Sequence, residues 1–289
     1  MNSESQKPPF KQKIVTDRTW ASDENAYLLP ADDTQNLGLT TTDGTPINPQ
    51  TAAYYGISKH MAAHAPGFGT KFHDVYRDSP DIYYEFSVAE NSNDTLVEEI
   101  YSLTKAHGSR DLLDVACGTG VLLGKLHEKK AFEGLSGIDI SIPLLDKART
   151  HLPSSIHLLS SAAERLPFLD NEFDACVTTW GSYSPNEALR EMERVTRPGG
   201  IIIRVGTAGI DDLTRLFKNY SEEDVEANKL FLERHGFKTK EIVISISFAN
   251  LERARTVLTT ITGCDQNEVT SSQINHRALL SWKQKPAAN

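Results

Sequence analysis

The stretch Leu112-Leu113-Asp114-Val115-Ala116-Cys117-Gly118-Thr119-Gly120 decides how this chain is read. Leu112, Leu113 and Val115 read as a buried strand interrupted by one carboxylate, Asp114. Gly118-Thr119-Gly120 is a tight turn, and Val121, Leu122 and Leu126 begin an apolar helical run. Strand, glycine turn and helix start together bring backbone close to a ligand.

The pattern repeats outward. Upstream, Asn93 or Asp94 caps a helix with Leu96, Ile100 and Leu103 on one face, ended by Gly108. Downstream, Gly134 to Ile140 is a second strand, and Ser141 caps the next helix with Pro143 in its first turn. Ile156 to Leu159 is a third strand and Phe173 to Thr179 a fourth. Ser184-Pro185-Asn186-Glu187 is a capping box, followed by an inner stripe of Leu189, Met192 and Val195. Pro198-Gly199-Gly200 turns the chain into a fifth strand, Ile201 to Gly206. Helical patterns fill Asp211 to His235, and Val243 to Phe248 is a β-branched strand. Asn250 caps a helix with Leu251, Ala254, Leu258 and Ile261 inward, and His276 to Trp282 is the last strand. Such alternation predicts an α/β fold, a mostly parallel sheet with helices on both faces.

The N-terminal third has a different texture. Residues 1–50 are polar and poorly periodic and read as a loosely ordered arm. Residues 51–92 hold Tyr54, Tyr55, Phe68, Phe72, Tyr76, Tyr83, Tyr84 and Phe86 and read as an aromatic-rich cap or lid, and residues 93–289 form the main domain. A net charge of −9 disfavours a nucleic-acid partner. The three cysteines lack metal-ligand spacing and read as reduced thiols, so no metal and a cytoplasmic location are expected. Cys117 reads as a small turn filler. No apolar run is long enough to span a membrane, and the polar N-terminus lacks the core of a secretory signal.

The glycine turn admits two cofactor classes. A dinucleotide site requires G-x-G-x-x-G, but after Gly118 and Gly120 the third position is Leu123, and glycine comes one residue late, at Gly124. Asp114 also sets negative charge near the turn, which repels a diphosphate and suits an amino group. Asp139, at the end of the second strand, is placed to accept both hydroxyls of a ribose. One acid for an ammonium and one for a ribose describe S-adenosylmethionine.

LLDVACGTG, GIDIS, AERLPF, FDACVTT and the RPGG turn, in this order, resemble the class I S-adenosylmethionine-dependent methyltransferases, above all the ubiquinone/menaquinone-type small-molecule group. The resemblance implies a Rossmann-like seven-stranded sheet with the last strand antiparallel and an N-terminal helical cap. It implies that Asp114 and the backbone from Ala116 through Gly118 to Gly120 hold the methionine part, that Asp139 grips the ribose and that Ile140 lies against the adenine. Ser161 to Glu164 would meet the adenine edge. Here the chain departs from the family's G-D-A-E-x-L-P-F: the usual acid is Ala162, so contact falls to the backbone of Ala162 and Ala163 or to Ser161. Tyr84 resembles an upstream tyrosine over the methionyl end. Thr179 would face the methyl group, with Trp180 and Tyr183 lining the acceptor pocket.

The family's N/D-P-P-Y/F motif for nucleic-acid or protein nitrogens is missing after the fourth strand, so a small-molecule acceptor is expected. A non-catalytic S-adenosylmethionine-binding protein, an RNA or protein methyltransferase and a nicotinamide oxidoreductase are the alternatives. His60, His64 and His73 are candidate bases, none assigned, and Arg204 is expected to turn to an acidic neighbour.

Overall fold

The computed structural model of the chain describes residues 75–181, 185–217 and 222–287. The expectations for the arm, for residues 51–74 of the cap, for Tyr183 and for the Ser184 cap lie outside them. A helical turn at 75–78 leads into α1 (Pro80–Glu90), then α2 (Thr95–Ala106), β1 (Asp111–Val115), α3 (Val121–Glu128), β2 (Gly134–Asp139), α4 (Ile142–Arg149) and β3 (His157–Ser160). There follow β4 (Phe173–Thr179), α5 (Pro185–Val195), β5 (Thr196–Thr207), α6 (Glu222–Arg234), β6 (Lys238–Ser247), α7 (Leu251–Thr262) and β7 (Gln273–Gln284).

The seven strands form one sheet in the order β3-β2-β1-β4-β5-β7-β6. All run parallel except β7, which is antiparallel to both β5 and β6, so the last strand reverses as the resemblance implies. The order changes direction between β1 and β4. In a doubly wound sheet the crevice outside the strand ends at that switch point is where a ligand fits, because the connecting helices diverge to opposite faces there.

Leu112 and Leu113 show why β1 is central. Adjacent strand residues point to opposite faces, and both are fully buried. Leu112 packs with Leu96, Val97, Ile100, Leu123 and Leu126 from α2 and α3, while Leu113 packs with Leu189, Met192 and Leu232 from α5 and α6. A third cluster joins Phe86 and Ala89 of α1 to Ile246, Phe248 and the inner face of α7. Thus α1 is anchored over the upper end of the sheet. The caps at Ser141 and Asn250 form as expected, their side chains accepting from Leu144 N and Arg253 N.

Three segments differ from their expected boundaries. Among the described residues the helical pattern over Asp211 to His235 yields a 3-10 turn at Thr214–Leu216 before α6, and the Asp211 carboxylate accepts from Leu213 N and Thr214 N as a capping acid does. β5 begins at Thr196, so the RPGG residues join the sheet: Gly199 N and Gly200 O pair with Lys285. At Gly200 a Cβ would lie 2.5 Å from Asp174 O, so only glycine fits. β6 and β7 are longer than their apolar cores suggest, because their ladder runs on through exposed residues such as Lys238 and Lys240.

Arg194 of α5 fastens the loop that follows β3. It donates to Phe168 O at 2.8 Å, Leu166 O at 3.0 Å and Asp170 at 2.9 Å, and pairs with Glu191, whose other oxygen accepts from Leu166 N at 2.7 Å. Arg194→Met strands two carbonyls and a carboxylate. It is expected to lower unfolding free energy by roughly 2–3 kcal/mol in a urea titration, without change of fold by circular dichroism.

Candidate functional site

The cavity opens at the switch point, between the ends of β1, β2 and β4, beneath the helical turn before α1 and α1 itself. After Val115 the chain adopts left-handed backbone at Ala116 (φ 61°), Gly118 (φ 54°) and Gly120 (φ 73°). That sequence of turns is what a glycine-rich loop permits; Ala116 tolerates it only because its side chain is one methyl. Cys117 N donates to Ile138 O at 2.8 Å, tying the loop to β2. A Cβ at Gly137 would meet the Cys117 sulfur at 2.8 Å, so this thiol fills the turn against β2 as expected.

Asp139 organises the loop from the other side. Its two oxygens accept from Gly118 N and Ser141 N, each at 2.8 Å. The carboxylate thereby fixes both the glycine loop and the start of α4. Burial raises its pKa and these backbone donors pull it back down. Asp114 lies buried behind the loop with 0% exposure, and neither carboxylate oxygen has a hydrogen-bond partner among the described residues. Burial first, and the Asp139 charge second, push its carboxyl well above the usual range.

Ala116, Gly118, Asp139, Ile140, Ala162, Ala163, Thr179 and Trp180 all line this one cavity. They come from four loops that are far apart in the chain. Arg77 is the only Lys or Arg on its wall among the described residues, against Asp139 and Glu164 on the wall and Asp114 behind it. The site has an excess of negative charge.

Two residues are placed elsewhere. Tyr84 does not reach the cavity: its ring packs on His151 at 4.6 Å and under the Lys147 ammonium at 4.8 Å. Its neighbour Tyr83, one helical step round α1, lies over the loop, with ring carbon Cε1 3.2 Å from where a Gly118 Cβ would stand. Gly120 also faces away. A Cβ there would meet Leu152 at 2.6 Å, so its lack of a side chain lets the loop pack on the chain after α4.

Sequence reasoning missed Tyr76 and Tyr83, which line the cavity with ring centroids 4.8 Å apart, edge to face. A helix phase could have found Tyr83: it shares a stripe with Phe86 and Glu90, spaced i, i+3 and i+7. Burial, with the charges of Glu90 and Asp139, pushes the Tyr83 hydroxyl up. Arg204 lies 5.1 Å over the Phe231 ring. Trp180 has φ 47°, an outlying conformation for a bulky residue. Its N–H donates to Val205 O at 2.9 Å, and its indole Nε1 is buried without a partner among the described residues. No group of side chains among the described residues is arranged to hold a metal, and no helix there is long and apolar enough to cross a membrane. The three cysteines are free.

Residues 113–204, from β1 through most of β5, match the family model of a methyltransferase domain. A demethylmenaquinone methyltransferase of Desulfitobacterium hafniense is 34% identical over 106 residues, covering 34% of this chain and 42% of that protein. A malonyl-[acyl-carrier protein] O-methyltransferase of Serratia marcescens is 34% identical over 110 residues, covering 37% of this chain and 42% of that protein. The chain spans about two fifths of the length of these curated relatives. Among solved structures, the YcgJ protein of Bacillus subtilis aligns over 66% of this chain and 98% of that one, at 16% identity and a TM-score of 0.47. Residues 113–204 are thus similar to a methyltransferase domain, and the relatives that overlap this segment include demethylmenaquinone methyltransferases.

Glu90, at the end of α1, is 9% exposed, and burial pushes its carboxyl up to about 8. The folded state therefore holds it protonated where the unfolded chain ionises it. The stability this confers is complete below about 4.5 and is lost as pH rises towards about 8. Glu90→Gln removes that loss. Its melting temperature relative to wild type is expected to climb steadily from about pH 5 to about pH 8 in thermal scans; a constant offset would mean Glu90 is ionised in the fold.

Proposed function

We propose that this chain is an S-adenosylmethionine-dependent methyltransferase whose acceptor is a small molecule. The observation that carries the reading is Asp114. A fully buried carboxylate with two unpartnered oxygens is costly unless a cation completes it. The ammonium of the cofactor's methionine part is such a cation, and the surrounding excess of acids suits its sulfonium as well. Asp139 has acceptor capacity left after its two backbone bonds, enough for ribose hydroxyls. Ile140, Ala162 and Ala163 offer an apolar slot for the adenine, Ala116 and Gly118 the backbone for the methionine part, and Thr179 stands with Trp180 at the transfer end.

When bound, S-adenosylmethionine supplies a methyl group already activated on sulfur. The chain's own work is then to align the acceptor and exclude water. Tyr76 and Tyr83 serve the second task as a roof, which extends the lid role to the segment upstream of α2. The net charge of −9 supports an acceptor that is not a nucleic acid. Two of the relatives are named for demethylmenaquinone and for malonyl-[acyl-carrier protein], which also points away from nucleic acid.

Calorimetry tests the cofactor site. Wild type is expected to bind S-adenosylmethionine and its demethylated product. Asp139→Ala is expected to weaken both about 10- to 100-fold, the equivalent of roughly 1.5–3 kcal/mol for bonds to a charged acceptor. Asp114→Asn should lose affinity by at least about 10-fold while melting no lower than wild type, because burial without a partner already disfavours the charged carboxylate it replaces. Unchanged affinity in Asp114→Asn removes the main support for the reading. Formation of the demethylated product with a panel of small phenols, quinols and amines then tests turnover.

A further inference from the structure

A buried dyad lies next to the transfer end of the cavity. His276 of β7 is 1% exposed, and its Nδ1 is 2.8 Å from Asp211 Oδ2. Asp211 follows β5, so the dyad sits at the edge of the sheet where β4 ends in Trp180. The rings of His276 and Trp180 are 5.6 Å apart, and Trp180 is a cavity wall residue.

The partners of Asp211 settle the tautomer of the imidazole. Oδ2 also accepts from Arg277 N at 2.7 Å, and Oδ1 accepts from the N–H groups of Leu213 and Thr214, both at 3.0 Å, and lies 3.2 Å from the Thr214 hydroxyl. Burial alone would raise its carboxyl, but His276 and these donors bring it below the usual range. A carboxylate so engaged is an acceptor, so Nδ1 carries the proton and Nε2 the lone pair. Among the described residues Nε2 has no hydrogen-bond partner. Nor has the indole Nε1–H of Trp180, which is held in place by a strained backbone. An acceptor given no bond by the described residues and a buried, unpartnered donor, on adjacent rings, match a group that accepts one hydrogen bond and donates another.

We propose that Trp180 Nε1 and His276 Nε2 bind the hydroxyl of a phenolic acceptor, and that His276 takes its proton. This rests on the reading of the cavity as the methyl-donor site. The indole donates to the phenol oxygen. The O–H bond breaks with its electron pair left on oxygen, and an N–H bond forms at Nε2. The imidazolium charge is then balanced by Asp211. A phenol, with a pKa near about 10, yields its proton to a neighbouring base far more readily than an aliphatic alcohol does, and an indole donor on its oxygen favours the anion further. The acceptor class is therefore a hydroxylated aromatic ring, whose oxygen or adjacent ring carbon becomes nucleophilic once the proton is gone.

The test uses 4-nitrophenol, whose anion absorbs in the visible, with full-length protein saturated in the demethylated cofactor, at a pH where the free probe is protonated. Wild type is expected to bind it with appearance of the phenolate band. His276→Gln should lose that band and Asp211→Asn should diminish it, while calorimetry shows the demethylated cofactor still bound, which marks a folded protein. Trp180→Phe keeps the ring and drops the donor, and should bind the probe about 5-fold more weakly. A wild type that binds cofactor but gives no phenolate, a band that persists in His276→Gln, or equal affinity in Trp180→Phe overturns the proposal. Failure of wild type to bind the demethylated cofactor sinks the methyltransferase reading, and this one with it.

Discussion

A carboxylate without a partner sets the terms for this end of the molecule. Asp114 is enclosed by β1, its flanking strands and the loop that follows, and nothing among the described residues answers its charge. A stable core does not keep such a group for its own sake, since an asparagine or an alanine would fit with less desolvation cost. Its surroundings share the bias. Asp139 is nearby, and the cavity wall carries more acid than base.

Asp139 shows how that electrostatic design is joined to shape. Its oxygens bridge Gly118 N and Ser141 N, so one residue fixes the distance between the glycine loop and the first turn of α4. Tyr83 then closes on Gly118 at a spacing that a side chain there would disturb. Roof, loop and β2 are in mutual contact around one point. Loss of any of the three loosens the other two.

The inner strands were legible because they are buried on both faces. The bounds expected for Phe173 to Thr179 match the strand, five of whose seven residues are buried. The outer ladder was under-read for the opposite reason: Lys238 to Glu241 face solvent, and their pairing with β7 leaves no hydrophobic trace. Eight of the cavity residues were legible through the resemblance carried by DVACGTG, GIDIS, SAAERLPF and FDACVTT with the Trp180 that follows it. The exchange of Tyr83 for Tyr84 is an error of helix phase. Adjacent tyrosines look alike in sequence, and only the burial of Phe86 and Glu90 says which one turns inward.

Asp211 and His276 were illegible for a deeper reason. They are 65 residues apart, and only the antiparallel insertion of β7 between β5 and β6 brings them together. Locally, Asp211 reads as the start of a helix, and its bonds to Leu213 N and Thr214 N are those of a capping acid, with nothing local to announce His276 as a further partner. The glycine-loop half of the cavity is built from backbone, so its glycines and acids must stand at fixed spacings and leave a motif. The dyad next to it is built from side chains that strand order alone assembles. Side chains brought together that way need no fixed local spacing, and so they leave no motif in the sequence.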